Sequence, residues 1–208
     1  PGIHHDVNAT LICGEEGNYM VDVGTSWYQL LLQERLRGKI GDEGKLEGII
    51  LTCRRYNHSG AAAYLKEEFA TRVHAHPNAA QALSTGDFFT TWANRYDSDM
   101  PAVETEPISE GQSFKVGDGS IEIIELPGHC NDSIGVWQAE RGVFIAGPNY
   151  DPNPRRKSGS TPEPWLVTGS GAISLAQGMR SAWRYDQETH ALHDGDATNG
   201  VRLRNDGY

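Results

Sequence analysis

The sequence has few cysteines, no long apolar run and no excess of basic charge. Its three cysteines, Cys13, Cys53 and Cys130, are an odd number without C-x-x-C spacing, which argues against a disulfide scaffold and against a zinc ribbon. No apolar run approaches the roughly 20 residues that cross a bilayer, and no signal-peptide pattern opens the chain. A net charge of −10 argues against general nucleic-acid binding, because such surfaces need basic residues to displace counterions from phosphate. We therefore expect a soluble cytoplasmic protein with reduced thiols.

The length and composition of the chain predict one domain over residues 1–208, with a sizeable core. The first half alternates short strands with amphipathic helices, and the second half is rich in strands and hairpins. Residues 85–107 have weak periodicity and predict a surface insertion, with a short helix at "DFFTTWANRY". A last helix is predicted at "AISLAQGMRSAW", followed by a short strand and loop at "THALHDGDAT".

Five segments carry chemistry-bearing residues in a fixed order along the chain. They are "NATLICGEEGNYMVDVG", "IILTCRRYNHSGAAAYL", "IELPGHCNDSIGVW", "GVFIAGPNYD" and "ALHDGDAT". In order and spacing they resemble the metallo-β-lactamase superfamily. The matching family features are Asp-x-Gly after a strand pair, T-H-x-H-x-D-H, P-G-H, G-D after a hairpin, and a late G-H. Any one of these features would be weak alone, but five together are specific.

The resemblance implies an α+β fold, a four-layer αβ/βα sandwich with ligands on loops at one edge of two sheets. In that family five His and two Asp typically hold two metal ions, usually zinc, which generate a bound hydroxide for hydrolysis. Carried over by position, the first two motif histidines fall on Cys53 and Arg55, and the motif Asp falls on Asn57. His58 is retained at the last position of that motif.

The remaining features are partly retained. His129 is the histidine of the P-G-H motif, whereas Pro148 lies at the position of the aspartate of the G-D motif. The late G-H falls on Gly195 and Asp196, and Asp22, which supports the metal loop in the family, is kept. The resemblance therefore implies that two of the seven ligand positions keep their residue type.

These replacements are not conservative in chemistry. Arg55 keeps a protonated guanidinium at ordinary pH and would place a cation where a metal would bind. Asn57 offers a neutral amide in place of a carboxylate, and Pro148 has no side-chain donor. We therefore expect the two-metal mechanism to be absent and no cofactor to be bound.

Two alternatives for the pocket stay open. In one, Arg55 replaces the charge of the metal and pairs with Asp196, as buried charges require. In the other, a hybrid mononuclear zinc site uses four zinc-competent groups from both half-sites. Those four groups are Cys53, His58, His129 and Asp196. A shift of the late strand would turn His193 rather than Asp196 toward the pocket.

The sequence thus favours a non-catalytic member of the superfamily, a pseudoenzyme that serves binding or assembly. The alternative is an ester, lactone or phosphodiester hydrolase that uses the hybrid zinc site or the thiol of Cys53. In that case His58 or His129 would act as the base and Arg55 would lower the pKa of Cys53. A small residue that fills the space of an imidazole is the simpler interpretation of Cys53.

The ends of the chain carry a further expectation. Family members usually have an additional strand before residues 8–13 and often continue past the late G-H motif. The chain is therefore expected to be a processed, trimmed or naturally minimal version of the fold. An open sheet edge would then favour a partner in a homo- or hetero-oligomer.

Overall fold

The parallel strands of the first sheet all end at one edge, and this edge carries the polar loops. The structure is a computed structural model that describes residues 6–15, 17–126, 129–141 and 143–149 and four short strands farther along the chain. The first sheet has the order β1 (Thr10–Gly14), β2 (Gly17–Val21), β3 (Leu46–Ile50), β4 (Arg72–Ala75) and β5 (Glu106–Pro107). β1 and β2 form an antiparallel hairpin, and β2 to β5 run parallel.

The second sheet is antiparallel. In spatial order it contains β10 (Ile173–Ser174), β9 (Val143–Ile145), β8 (Ile134–Gln138), β7 (Gly119–Glu125) and β6 (Ser113–Val116). A three-stranded sheet follows along the chain, with β11 (Trp183–Asp186), β12 (Ala191–Asp194) and β13 (Val201–Arg202). The hairpins β6–β7 and β8–β9 confirm the prediction of a second half rich in strands and hairpins.

Four helices pack against one face of the first sheet. They are α1 (Gln29–Ile40), α2 (Tyr56–Ser59), α3 (Ala62–Glu68) and α4 (Pro77–Ser84). Proline at the first position of α4 fits there, because the first N–H groups of a helix have no partner within the helix. The apolar spacing of residues 27–36 predicts a helix that ends near Gly38, but α1 continues to Ile40 and stops at Gly41, whose φ of 78° favours glycine.

Side chains that alternate along the first sheet supply two separate cores. Tyr19 and Val21 of β2 and Ile50 of β3 join the cluster that includes Ile121 and Val136 of the second sheet. Their neighbours Met20 and Ile49 join a second cluster with the helices, because successive strand residues point to opposite faces. Each fully buried Ile or Val contributes about 1.5–3 kcal/mol relative to an exposed one. This arrangement is the predicted α+β sandwich of the metallo-β-lactamase type.

Two local predictions need correction or stay untested. The segment 85–107 contains a 3-10 helix at Ala93–Tyr96 and contributes β5, so it is less irregular than the sequence suggested. The predicted helix at "AISLAQGMRSAW" is wrong at Ile173–Ser174, which form β10, and at Trp183, which begins β11. Residues 175–182 of that segment lie outside the described residues. Across the described chain, no helix is both long and apolar enough to span a membrane.

A buried histidine of β4 makes the stability of the fold depend on pH. His74 is 3% exposed and stacks on Phe114 with 4.9 Å between ring centroids. Neither of its ring nitrogens has a hydrogen-bond partner among the described residues, although Glu106 lies 3.6 Å from Nδ1. Burial lowers the pKa of His74 below its ordinary value of 6.5, and the attraction of Glu106 only partly opposes this. The folded protein therefore favours neutral His74.

We expect the free energy of unfolding to fall as the pH drops below about 6.5. In that window the unfolded chain binds a proton at His74 that the folded protein does not bind, so stability is full above 6.5 and declines below it. The slope from one proton is at most about 1.4 kcal/mol per pH unit. Urea unfolding on both sides of the window measures it, with His74→Phe as the control that cannot titrate. Equal slopes for both proteins would contradict the assignment.

Candidate functional site

The loop "TCRRYNHSG" begins where β3 ends, at the edge to which the parallel strands point. Thr52 and Cys53 are buried at the end of the strand, and α2 starts at Tyr56. Arg55 precedes that helix with extended backbone angles (φ −61°, ψ 139°), which turn the chain from the strand into the helix. The predicted position of the loop is therefore confirmed.

Asp22, directly after β2, holds this loop in place. Its carboxylate accepts hydrogen bonds from the backbone N–H of Thr52 at 2.8 Å and from Thr52 Oγ1 at 2.7 Å. His58 Nδ1 donates to the same carboxylate at 2.8 Å. Asp22 adopts a left-handed conformation with φ 57°, which aspartate tolerates better than most residues. The structure thus brings together two residues predicted from the motifs, Asp22 and His58.

A second carboxylate ties the loop to the opposite sheet. Asp132, in the loop between β7 and β8, accepts from the backbone N–H of Arg54 at 2.7 Å and from Arg54 Nη1 at 2.5 Å. Next to it, the backbone N–H of Ile134 donates to Thr52 O at 2.9 Å. Burial raises the pKa of Asp132, and the hydrogen bond and charge of Arg54 oppose this. The loops after β3 and after β7 therefore run side by side.

Arg55 lies between these two loops. Its Nε donates to Cys130 Sγ at 3.3 Å, and its guanidinium carbon lies 3.3 Å from the ring centroid of Trp92. Arg95 lies over the same ring at 4.4 Å. Nη1 of Arg55 is buried and has no hydrogen-bond partner among the described residues. Trp92 takes a left-handed conformation with φ 65°, which is strained for a bulky residue.

Two thiols meet beside Arg55. Cys53 is 1% exposed and Cys130 is 7% exposed, and the two side chains are hydrogen-bonded to each other. Burial raises the pKa of Cys53, and the hydrogen bond with Cys130 adds to this effect. The hydrogen bond from Cys53, followed by those from His129 and Arg55, lowers the pKa of Cys130. The pKa of Cys130 is therefore lower than that of Cys53.

The backbone N–H of Arg55 lowers the pKa of Cys53, as expected, but burial and the hydrogen bond with Cys130 raise it by more. The side chain of Arg55 contacts Cys130, and Nδ1 of His58 is bonded to Asp22. Sequence reasoning missed Cys130, Trp92 and Asp132 as parts of the site. The only signal for Cys130 was its position next to His129 in "PGHC".

The residues present do not fit the dinuclear metal centre that the fold implies. A guanidinium, Arg55, takes the position of the second motif histidine, and within the described ranges no group of three or more His, Cys, Asp or Glu could hold a metal. His129 is exposed and bonds to Cys130. Gly195 and Asp196 lie outside the described residues, and so does the proposed Arg55–Asp196 ion pair. Of His193 the structure describes only the backbone, within β12.

The two other replaced positions are described in part. Asn57 is half-buried within α2, and Pro148 is half-buried in a 3-10 turn over Gly147–Asn149. Gly147 has φ 57°, and a Cβ added there would overlap the Thr52 side chain. The end of β9 therefore packs against the start of the loop at residue 52.

We expect Gly147→Ala to lower the free energy of unfolding by about 2–4 kcal/mol, from overlap with Thr52 and a strained positive φ. Gly38→Ala is the matched control, because Gly38 lies inside α1 with open space at its Cβ position. The control should stabilise the protein by up to about 1 kcal/mol. Denaturant unfolding measures both changes. A Gly147→Ala variant as stable as the native protein would contradict the close approach.

The fold and this edge define an α+β sandwich of two sheets with polar loops at one edge. Residues 3–169 match the family model of the metallo-beta-lactamase superfamily. The chain belongs to this superfamily.

Two curated relatives match about half of the chain. An uncharacterized protein of Aquifex aeolicus is 30% identical over 104 residues, which are 50% of this chain and 48% of the relative. A hydroxyacylglutathione hydrolase of Rhodopseudomonas palustris is 28% identical over 103 residues, 49% of this chain and 33% of the relative. The chain therefore aligns with one half to one third of the length of these relatives.

Solved structures agree on the fold. A Cronobacter sakazakii metallo-beta-lactamase with a HARLDQ motif superposes with a TM-score of 0.58 at 20% identity, covering 73% of this chain and 61% of that one. A subclass B3 metallo-beta-lactamase of Bradyrhizobium japonicum gives a TM-score of 0.55 at 19% identity, covering 62% and 49%. At these identities the likeness concerns the fold alone.

Proposed function

We propose that this protein is a metallo-β-lactamase-fold protein without dinuclear metal chemistry, and that it serves binding or assembly rather than hydrolysis. The observation that carries the proposal is the position of Arg55. Its permanent positive charge lies between Cys130 and Trp92, at the place where the motif needs a neutral imidazole to bind a cation. A metal ion in the same space would be repelled by this charge.

Elemental analysis combined with hydrolysis assays tests the proposal. The purified protein, prepared without chelators and dialysed, should contain far less than one zinc per chain. It should not hydrolyse ester, lactone, phosphodiester, thioester or β-lactam probes above the rate in buffer. A metal-bound member of the superfamily, assayed under the same conditions, provides the positive control. Stoichiometric zinc whose removal abolishes hydrolysis would overturn the proposal.

The assembly part of the proposal has its own support. Phe89 is 70% exposed and Trp92 is 40% exposed on the segment that packs against the site loop. Exposed aromatic side chains are enriched where proteins meet partners. Light scattering after size exclusion should reveal a homo- or hetero-oligomer at micromolar concentration. A monomer with no co-purifying protein would contradict this part.

The alternative function is an ester, lactone or phosphodiester hydrolase, and the thiols favour keeping it. The hydrogen bonds from Cys53, His129 and Arg55 to Cys130 provide an activated sulfur beside an exposed histidine. Cys130 rather than Cys53 would then be the nucleophile. The hybrid zinc site of Cys53, His58, His129 and Asp196 is the other form of this alternative.

Three variants and a chelator separate these forms. Activity that is lost in Cys130→Ser but resists chelation would support the thiol. Activity lost on chelation and in both Cys53→Ser and His129→Ala would support the zinc site. If Cys53→Ser, Cys130→Ser and His129→Ala leave every measurable activity unchanged, both forms of the hydrolase alternative fail.

A further inference from the structure

The two buried cysteines are brought together by the backbone on either side of them. Thr52 O accepts from Ile134 N at 2.9 Å, and Arg54 N donates to Asp132 Oδ2 at 2.7 Å. Cys53 lies between these two contacts, and Cys130 lies just before the other partners. These hydrogen bonds fix both loops, and the side chains of Cys53 and Cys130 are hydrogen-bonded to each other.

The surroundings of Cys130 also fix its position. Its backbone N–H donates to Ser133 Oγ at 3.1 Å, and the N–H of Ser133 donates to Cys130 O at 3.4 Å. Arg55 Nε donates to its sulfur at 3.3 Å. The sulfur of Cys130 thus faces Cys53 on one side and a fixed guanidinium on another.

We propose that Cys53 and Cys130 are a redox-active pair that closes to a disulfide between the two loops of the site when a peroxide oxidises it. The third cysteine, Cys13, is exposed in β1 and takes no part. The proposal does not depend on the function proposed above.

The chemistry balances with hydrogen peroxide as the oxidant. The sulfur of Cys130 attacks one peroxide oxygen and the O–O bond breaks, which gives a sulfenic acid and one water. The sulfur of Cys53 then attacks the Cys130 sulfur, the S–O bond breaks, and the proton of Cys53 leaves with the oxygen as a second water. Two thiols lose two electrons in total, and peroxide is reduced to two waters.

Cys130 is suited to the first step and Cys53 to the second. Cys130 is 7% exposed and follows the exposed His129, whereas Cys53 is 1% exposed and is hydrogen-bonded to Cys130. A buried partner already in contact captures a sulfenic acid before a second peroxide can oxidise it further. The product joins the loop after β3 to the loop after β7, and thus the two sheets.

Thiol counting and mass spectrometry test the pair on the full chain, in the presence of a chelator. The reduced protein should show three alkylatable thiols after denaturation. After brief treatment with hydrogen peroxide it should show one, on Cys13, with a mass lower by two hydrogen atoms and a cross-linked peptide that contains Cys53 and Cys130. A reducing agent should restore all three thiols. The oxidised form should unfold several degrees higher, because the bond constrains the unfolded chain.

Cys13→Ser is the matched control, since it removes the exposed thiol and leaves the pair intact. On oxidation this variant should lose both remaining thiols to a disulfide within one chain, without forming cross-linked dimers. Cys53→Ser should form no internal disulfide and should accumulate higher oxides of Cys130. The proposal is overturned if Cys130 is converted to sulfinic acid in the native protein while Cys53 stays reduced. A disulfide that involves Cys13 would overturn it equally.

Discussion

Replacing Asp22 with alanine is expected to lower the free energy of unfolding by about 3–5 kcal/mol, the range for removing one partner of a buried charged contact. Asp22 is 3% exposed and accepts three hydrogen bonds, two from Thr52 and one from His58. Its removal leaves these donors buried without an acceptor, and each such donor costs about 1–3 kcal/mol. The loop that carries Cys53 and Arg55 would lose its anchor to β2.

Three further variants separate the causes of this loss. Asp22→Asn tolerates the positive φ of 57° and still offers one acceptor oxygen, so a smaller loss is expected. Asp22→Gly removes the carboxylate without strain at that φ, so its free energy of unfolding should be about 1 kcal/mol higher than that of Asp22→Ala. Asp42→Ala, in an exposed turn, is the surface control and should change stability by less than about 0.5 kcal/mol. Urea unfolding measures all four, and an Asp22→Ala loss no larger than the control would refute the anchoring role.

The elements of the fold could be predicted because they depend on local patterns. The apolar runs of β2 and β3 and the proline that opens α4 are visible in the sequence. Helix α1 continues past Gly38 because Gly41, not Gly38, takes the positive φ that ends the helix. The helix predicted at 172–183 failed at Ile173, which pairs with Phe144 of β9, because pairing in a sheet can override a local helical pattern.

The site could be predicted only in part, for a different reason. The motif positions identified Asp22, Arg55 and His58, but they could not show what each side chain contacts. The partners of Arg55 are Cys130 and Trp92, which lie on other loops far away in sequence. Such contacts depend on how loops from two sheets meet, and no periodicity encodes this.

The guanidinium of Arg55 needs different neighbours from those that a metal ion needs. A guanidinium is satisfied by an aromatic face and by a polarizable sulfur, and both are present. A zinc ion would instead need neutral imidazoles and thiolates in a tetrahedral set. An arginine with Trp92 and Cys130 and a zinc ion with histidines thus require different groups in the same space.

The largest functional effect is expected from a double substitution that reverses this choice, Cys53→His with Arg55→His. Together with His129 it would place histidines at three of the family's ligand positions, and three histidines plus water form a known zinc site. We expect the double variant to retain about one zinc per chain after dialysis, while the native protein retains far less. Elemental analysis and a titration with a zinc-sensitive dye measure this gain.

The single variants decide whether Arg55 is the cause. Cys53→His alone keeps the guanidinium and should bind no stoichiometric zinc, because the positive charge still occupies the position next to Cys130. Arg95→His is the matched control, since it removes a guanidinium from the other contact of Trp92 and should leave zinc content unchanged. Adding His129→Ala to the double variant should abolish the gain. A folded double variant with no more zinc than the native protein would show that the loop no longer holds positions 53, 55 and 129 in the geometry that a metal requires, and Arg55 would then not be what excludes it.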